Sequence, residues 1–296
     1  MTEPAAIDRI EADAETRLRA LVADGAAIAE ALFSPETDAA QRAAALHPET
    51  GRLGPRLRRL YEELETRASS TEGGAILDDP AIHGALPQLY ALRAAQEAVA
   101  ETALAHAALT SPDPQARVAA EVRRKIDSLP AAFFDALSGA ERLLFIGSGP
   151  LPTTAMALVE TLGRPVRCLD FDAAANRLGA AYVEAGGYRD RIAIAEGRVE
   201  VWDGLGRFDA IVCAFLVGIG TRPEPAGAKS RLVERVLGRL APGQSLLLRT
   251  PYGLGALLYP VLSPTTPPGI DAAHRPGDRY DRGFVLYARV DGSPSA

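Results

Sequence analysis

Cysteine and histidine are scarce in this chain of 296 residues, and basic residues are outnumbered by acidic ones. The two cysteines, Cys168 and Cys213, each sit inside an apolar run, PVRCLDF and AIVCAFLVG. They read as buried thiols on two neighbouring strands. The four histidines are scattered and no CxxC or Cys/His cluster occurs, so no metal is expected. No run of 18 or more apolar residues is present, which argues against a membrane-spanning helix and a membrane partner. The opening MTEPAAIDRIEADAE lacks the basic start and apolar core of a signal peptide, and a cytoplasmic location is expected. Lys and Arg number 32 against 38 Asp and Glu, a net charge of −6. With no basic face, a nucleic-acid partner is not expected. The expected partner is a small molecule; oligomeric state is not legible.

β-Branched residues are sparse up to about residue 138, where Ala, Leu, Glu and Arg dominate. These are strong helix formers, so an all-α region is expected over 1–138. Ser34-Pro35-Glu36 and Asp113-Pro114 mark helix boundaries, and Ser69–Gly74 a loop. Ala85–Leu109 reads as one long helix. Asp113–Leu137 reads as another, which Pro130 should break.

The pattern changes at Gly139. Apolar strands (RLLFIGSGP, PVRCLDF, RIAIAEG, FDAIVCAFLVG, QSLLLRTPYG) alternate with helical stretches at 152–162, 173–185 and 229–240. That alternation implies an α/β fold with a parallel sheet over 139–296. Gly283–Arg289 reads as the last strand. The four prolines of 263–282 suggest a long loop.

The sharpest local signal is LLFIGSGP, a strand running into Gly147-Ser148-Gly149-Pro150 and then a helix. Glycines there let a backbone approach a ligand at the carboxyl end of a strand. Asp170 follows at the end of the next strand, where an acid can accept from both ribose hydroxyls. A helix cap is the other reading for it, unless Asp172 takes that role. No GxxxxGK[ST] is present, and Pro152 stands where a GxGxxG loop continues toward its third glycine. A phosphate-bearing cofactor is therefore disfavoured, whereas S-adenosylmethionine (SAM), which has no phosphate, fits.

GSGPLPTTAMAL (147–158), LDFDAAAN (169–176), FDAIVCAFLVG (208–218), LAPGQSLLLRTPYGLGALLYPVL (240–262) and HRPGD (274–278) together resemble the nicotianamine synthase family. The resemblance covers roughly residues 140–290. LYEELE (60–65) and LPQLYALRAAQE (86–97) match its helical half loosely. It implies a Rossmann-like sheet of the class I SAM-methyltransferase type beneath an all-α cap or substrate domain. It also implies SAM as a substrate rather than a methyl donor. A nitrogen nucleophile attacks the γ-carbon of the methionine moiety, and methylthioadenosine leaves. The amine belongs either to an amino-acid acceptor, as in opine-like metallophore synthesis, or to SAM itself, which closes azetidine-2-carboxylate.

The catalytic candidates carried by the resemblance are Tyr90, Glu97, Glu65 (with Glu63 beside it) and Tyr252. The SAM-binding candidates are Gly147, Ser148, Gly149, Pro150, Asp170, Phe171, Asp172, Asn176, Glu196, Ala214, Leu216 and Arg249. Two departures stand out. The helical half holds only Tyr61 and Tyr90 where the family clusters tyrosines. Glu196-Gly197-Arg198 also follows the third strand, where an aspartate often meets adenine. Both suit a smaller pocket and hence the cyclising version. Arg249 either grips a carboxylate or pairs with Asp209, while Tyr259 and Trp202 read as core filler. A conventional SAM-dependent methyltransferase and a non-catalytic SAM-binding module are the alternatives.

Overall fold

The computed structural model describes residues 4–68, 78–214, 228–251, 253–261, 264–275 and 282–290. Its first part is helical: α1 (Pro4–Leu32), α2 (Ala39–Leu46), α3 (Gly54–Ala68), α4 (Pro80–Leu109), α5 (Pro114–Asp127) and α6 (Ala131–Asp135). Short acidic caps start three of these. Asp38 and Gln41 form a capping box on α2, and Asp79 and Asp113 accept from the backbone at the starts of α4 and α5. Asp79, followed by Pro80 in the first turn, starts α4 earlier than the expected Ala85. Pro130 breaks the next helix as expected, ending α5 at Asp127 and preceding α6.

The second part alternates strand and helix: β1 (Leu143–Ile146), α7 (Thr153–Leu162), β2 (Val166–Asp170), α8 (Ala173–Ala185), β3 (Ile192–Glu196), β4 (Ala210–Cys213), α9 (Ala228–Leu237), β5 (Ser245–Pro251), β6 (Ile270–Arg275) and β7 (Arg282–Arg289). The sheet order is β3-β2-β1-β4-β5-β7-β6. The first five strands are parallel, while β7 runs antiparallel to β5 and β6 antiparallel to β7. This is the Rossmann-like, methyltransferase-type arrangement. Every residue of β1 and β4 is buried, the signature of parallel strands covered on both faces. The strand order reverses between β1 and β4, so their carboxyl ends open the crevice where such folds bind ligands.

Two expectations are corrected here. Cys168 and Cys213 lie on β2 and β4, which β1 separates, and pack into cores on opposite faces of the sheet. The stretch 263–282 holds an edge strand, β6, rather than loop throughout. Its IDAAHR has almost no apolar alternation, because an edge strand needs little buried surface.

The cores do not follow the change of secondary structure. Ala105, Ala108, Val118, Val122, Phe133 and Phe134 pack with β1, α7 and Phe284 on one sheet face. Leu257, Leu258 and Tyr259, which follow β5, complete a second core with Leu18, Val22, Leu57, Leu60, Tyr61, Leu89 and Leu92.

Candidate active site

At the carboxyl end of β1 the chain turns through Gly147 (φ 78°) and Gly149 (φ 60°). Both angles lie in the left-handed region that glycine alone enters at little cost. The Gly147 N–H donates to the Leu169 carbonyl at 2.8 Å, holding the turn against β2. The Gly149 N–H donates to Asp170 Oδ2 at 2.9 Å, and the Asp172 N–H to Asp170 Oδ1 at 3.0 Å. The cap of α8 belongs to Asp172, whose carboxylate accepts from the N–H groups of Ala174 (2.7 Å) and Ala175 (3.1 Å). Asp170 therefore braces the glycine turn, and each of its oxygens keeps a further lone pair for a ligand hydroxyl.

Around this brace the sequence candidates converge. Asn176 donates from Nδ2 to the Asp170 carbonyl at 3.0 Å, while its Oδ1 is buried without a partner. Ser148 is buried beneath the turn. The Ala214 N–H donates to the Ile146 carbonyl at 3.1 Å, keeping the chain after β4 against β1. Glu196 pairs in register with Asp170 and is exposed. Phe171 is 67% exposed, and the Arg198 guanidinium stands 6.0 Å from its ring centre. Gly179 went unnoticed in the sequence. A Cβ there would come within 3.0 Å of the Gly149 carbonyl, so its lack of a side chain lets α8 sit under the turn.

Helix α4 forms the opposite wall, and Tyr90, Arg93, Glu97 and Glu101 follow one another at helical spacing. Glu101 reaches the turn itself: its Oε2 is 3.0 Å from where a Cβ on Gly149 would stand. Burial, reinforced by the charges of Glu97 and Asp170, pushes its carboxyl up to about 8, against the opposing pull of Lys125 and Arg93. Sequence reading missed Glu101, since its four-residue spacing from Glu97 places the two on one helix face but does not show what that face meets.

Farther along the same wall, the Tyr259 hydroxyl donates to Glu97 Oε1 at 2.8 Å. It also accepts from Arg93 Nη2 at 2.8 Å. Arg93 Nε lies 2.7 Å from Glu97 Oε1. The guanidinium stacks over Tyr61 and Tyr259, 4.5 and 5.4 Å from the ring centres. Tyr90 donates to the Ala256 carbonyl at 2.6 Å. Burial raises the Tyr61, Tyr90 and Tyr259 hydroxyls well above their ordinary range, so all three stay protonated. Tyr259, expected to be mere core, is buried and also ties α4 to the segment after β5.

The remaining candidates lie apart. Arg249 is half-buried toward the carboxyl end of β5. Asp209, its anticipated structural partner, instead pairs with Arg142 at 2.5 Å, just ahead of β4 at the opposite end of the sheet. Lys229 is buried at the start of α9, where desolvation lowers its ammonium to about 8 and the Arg249 charge adds to the effect. Glu63 and Glu65 lie on α3, but their side chains, like Leu216 and Tyr252 as a whole, fall outside the described residues. A groove of about 1060 Å³ runs between α1 and the start of α4, lined by Ala23, Ala26, Phe33 and Ile82, and none of the candidates borders it. Among the described residues, no group of three or more His, Cys, Asp or Glu side chains is placed to hold a metal ion. No described helix is long and apolar enough to cross a membrane.

Comparison with known proteins gives a consistent picture. The family model "Nicotianamine synthase protein" matches residues 127–279. Nicotianamine synthase of Solanum lycopersicum is 32% identical over 157 residues, covering 51% of this chain and 48% of that protein. Nicotianamine synthase 3 of Oryza sativa subsp. indica is 34% identical over 143 residues, covering 46% and 40%. The match spans about half the length of these curated relatives. Among solved structures, MtNAS in complex with MTA and tNA superposes with a TM-score of 0.67 at 23% identity, covering 90% of this chain and 96% of that one. A mutant of MtNAS in complex with S-adenosylmethionine gives 0.64 at 23% identity, covering 84% and 96%. At that identity the superpositions establish the fold, helical part included.

Proposed function

Because the chain belongs to the nicotianamine synthase family, we propose that it is a SAM-dependent enzyme in which an amine displaces methylthioadenosine from the γ-carbon of SAM. The observation that carries this reading is the Glu101 carboxyl poised over the Gly149 turn that Asp170 braces. In this proposal residues 139–296 bind SAM and the helical part, 1–138, covers it.

The residues present suit such a substrate. Asp170 accepts the ribose hydroxyls with the lone pairs left after bracing the turn. The exposed Phe171 ring offers an apolar face for adenine, and the unpartnered Asn176 Oδ1 an acceptor nearby. Both glycines let the nucleoside approach the main chain.

A sulfonium is a good leaving group, so the protein's work is alignment and keeping the amine neutral. Glu101, with its proton affinity raised toward that of an amine, takes the ammonium proton. The amine lone pair then forms the N–C bond while the C–S pair returns to sulfur, leaving neutral methylthioadenosine. Tyr90 and Tyr259 position α4 through Ala256 and Glu97 rather than accept a proton. The helical cover excludes water from the γ-carbon.

The purified protein is incubated with SAM alone, and then with SAM plus an amino acid, and the products are identified by mass spectrometry. Methylthioadenosine with azetidine-2-carboxylate from SAM alone establishes the intramolecular version. Product only after amino-acid addition establishes the acceptor version. The methyltransferase-type strand order keeps conventional methyl transfer as the second reading, which S-adenosylhomocysteine with a methylated product would establish instead. Binding without turnover would leave a SAM-binding module.

A further inference from the structure

The loop after β3 is fastened at several points. The Gly197 N–H donates to the Asp170 carbonyl at 2.9 Å, so the residues that follow these two, Arg198 and Phe171, leave the sheet side by side. From behind, the Arg239 guanidinium, just after α9, donates to the carbonyls of Val199 (2.8 Å), Glu200 (3.2 Å) and Trp202 (2.5 Å). The Trp202 ring stacks on Phe208 with centres 5.9 Å apart, and a Cβ on Gly204 would come within 2.6 Å of it. On this fixed loop, half-buried Glu200 accepts from Arg198 Nη2 at 3.0 Å. The Arg198 side chain is 67% exposed, yet its direction is set. Its guanidinium carbon stands 6.0 Å from the centre of the equally exposed Phe171 ring.

We propose that Arg198 is a substrate-binding residue: its guanidinium plane is the second wall of the adenine site, and the base lies between it and the Phe171 ring. The inference rests on the reading that SAM binds at the Gly149 turn. Phe171 directly follows Asp170, the acid assigned to the ribose, so a base carried by that ribose reaches this pair first. Flat groups in van der Waals contact stand about 3.5–4.0 Å apart, so a base between two such groups needs about 7 Å. The observed 6.0 Å falls short by about an ångström, which a long exposed arginine stem supplies by swinging outward. A guanidinium suits the task. It is planar, weakly hydrated and stacks on aromatic faces, and a purine presents such a face. Glu200 holds one edge of the guanidinium and leaves its plane open toward Phe171.

The test is isothermal titration of the full-length protein with methylthioadenosine, which carries the base and the ribose but no methionine tail. Fluorescence of Trp202, the single tryptophan, gives a second reading of binding from the same loop. Arg198→Ala removes the guanidinium, and Arg198→Lys keeps the charge but loses the plane. Kd should rise about tenfold in both, the size expected for losing one stacking partner of a base. The absorbance of the bound adenine, which drops when a base is stacked, should drop less in Arg198→Ala than in the unaltered protein at saturation. A merely structural role would not produce that change. Unaltered affinity in both variants overturns the inference. So does a loss in Arg198→Ala that Arg198→Lys fully restores, because charge rather than stacking would then be responsible. The SAM site itself is checked separately with Gly149→Val. If the unaltered protein binds no methylthioadenosine, or Gly149→Val binds it undiminished, the placement of SAM fails and this inference falls with it. If Gly149→Val abolishes binding and the Arg198 variants bind normally, the inference alone fails.

Discussion

Glu101 Oε2 lies 3.0 Å from the position a Cβ on Gly149 would occupy, so the long helix of the first half touches the glycine turn after β1. Gly149→Ala adds left-handed backbone strain of about 1–2 kcal/mol and presses on that carboxyl. A drop of several degrees in Tm is expected, read by calorimetry. Gly149→Val in a folded protein should abolish SAM binding. Unchanged affinity would mean that SAM sits elsewhere.

Asp170→Asn keeps the shape of the brace but loses its charge. Hydrogen bonds to charged groups contribute about 1.5–3 kcal/mol each, so SAM affinity should fall roughly ten- to a hundredfold by isothermal titration. An asparagine offers a single acceptor oxygen, so one of the two N–H groups that Asp170 holds, Gly149 or Asp172, then faces the amide NH2. Tm should therefore fall together with affinity.

The raised Glu101 carboxyl predicts two pH effects. Glu101 accepts a proton only when ionised, so kcat/KM should rise with pH through about 8. A sulfonium bound beside it favours the anion, so the inflection in kcat should lie lower. Stability runs the other way. The folded state holds this proton between the ordinary carboxyl range and about 8, where the unfolded chain has already released it. The contribution of Glu101 to stability therefore declines across that window as pH rises. Glu101→Gln should lose turnover, retain SAM affinity and show a flatter dependence of Tm on pH.

Tyr90→Phe removes the donor to the Ala256 carbonyl. Leaving a buried acceptor unsatisfied costs about 1–3 kcal/mol. Thermal stability should fall while the pH profile of turnover keeps its shape. A changed profile would return Tyr90 to direct proton transfer.

Much of this arrangement was legible in the sequence. Strand–helix alternation after Gly139 gave away the sheet, because buried parallel strands are unbroken apolar runs. GSGP and Asp170 marked the glycine turn at the carboxyl end of the sheet, since only particular residues tolerate that turn and that position. Glu101 was not legible. A glutamate on an alanine-rich helix looks solvated until tertiary contacts place it over Gly149. Tyr259 concealed its hydroxyl within an apolar stretch for the same reason. Of the two readings for Arg249, pairing with Asp209 falls away because a strand's sequence does not show which end of the sheet a charge will occupy. Strand β6 was missed because an edge strand buries too little to leave a pattern.

The packing of Leu257, Leu258 and Tyr259 among Leu18, Leu57, Leu60 and Leu92 also bears on how the chain is made. These closing side chains are synthesised long after the helices they complete. During translation α1, α3 and α4 must wait with an open seam until the residues after β5 leave the ribosome. Until then their apolar flanks are available to chaperones, and a stalled or truncated nascent chain would expose the same surface.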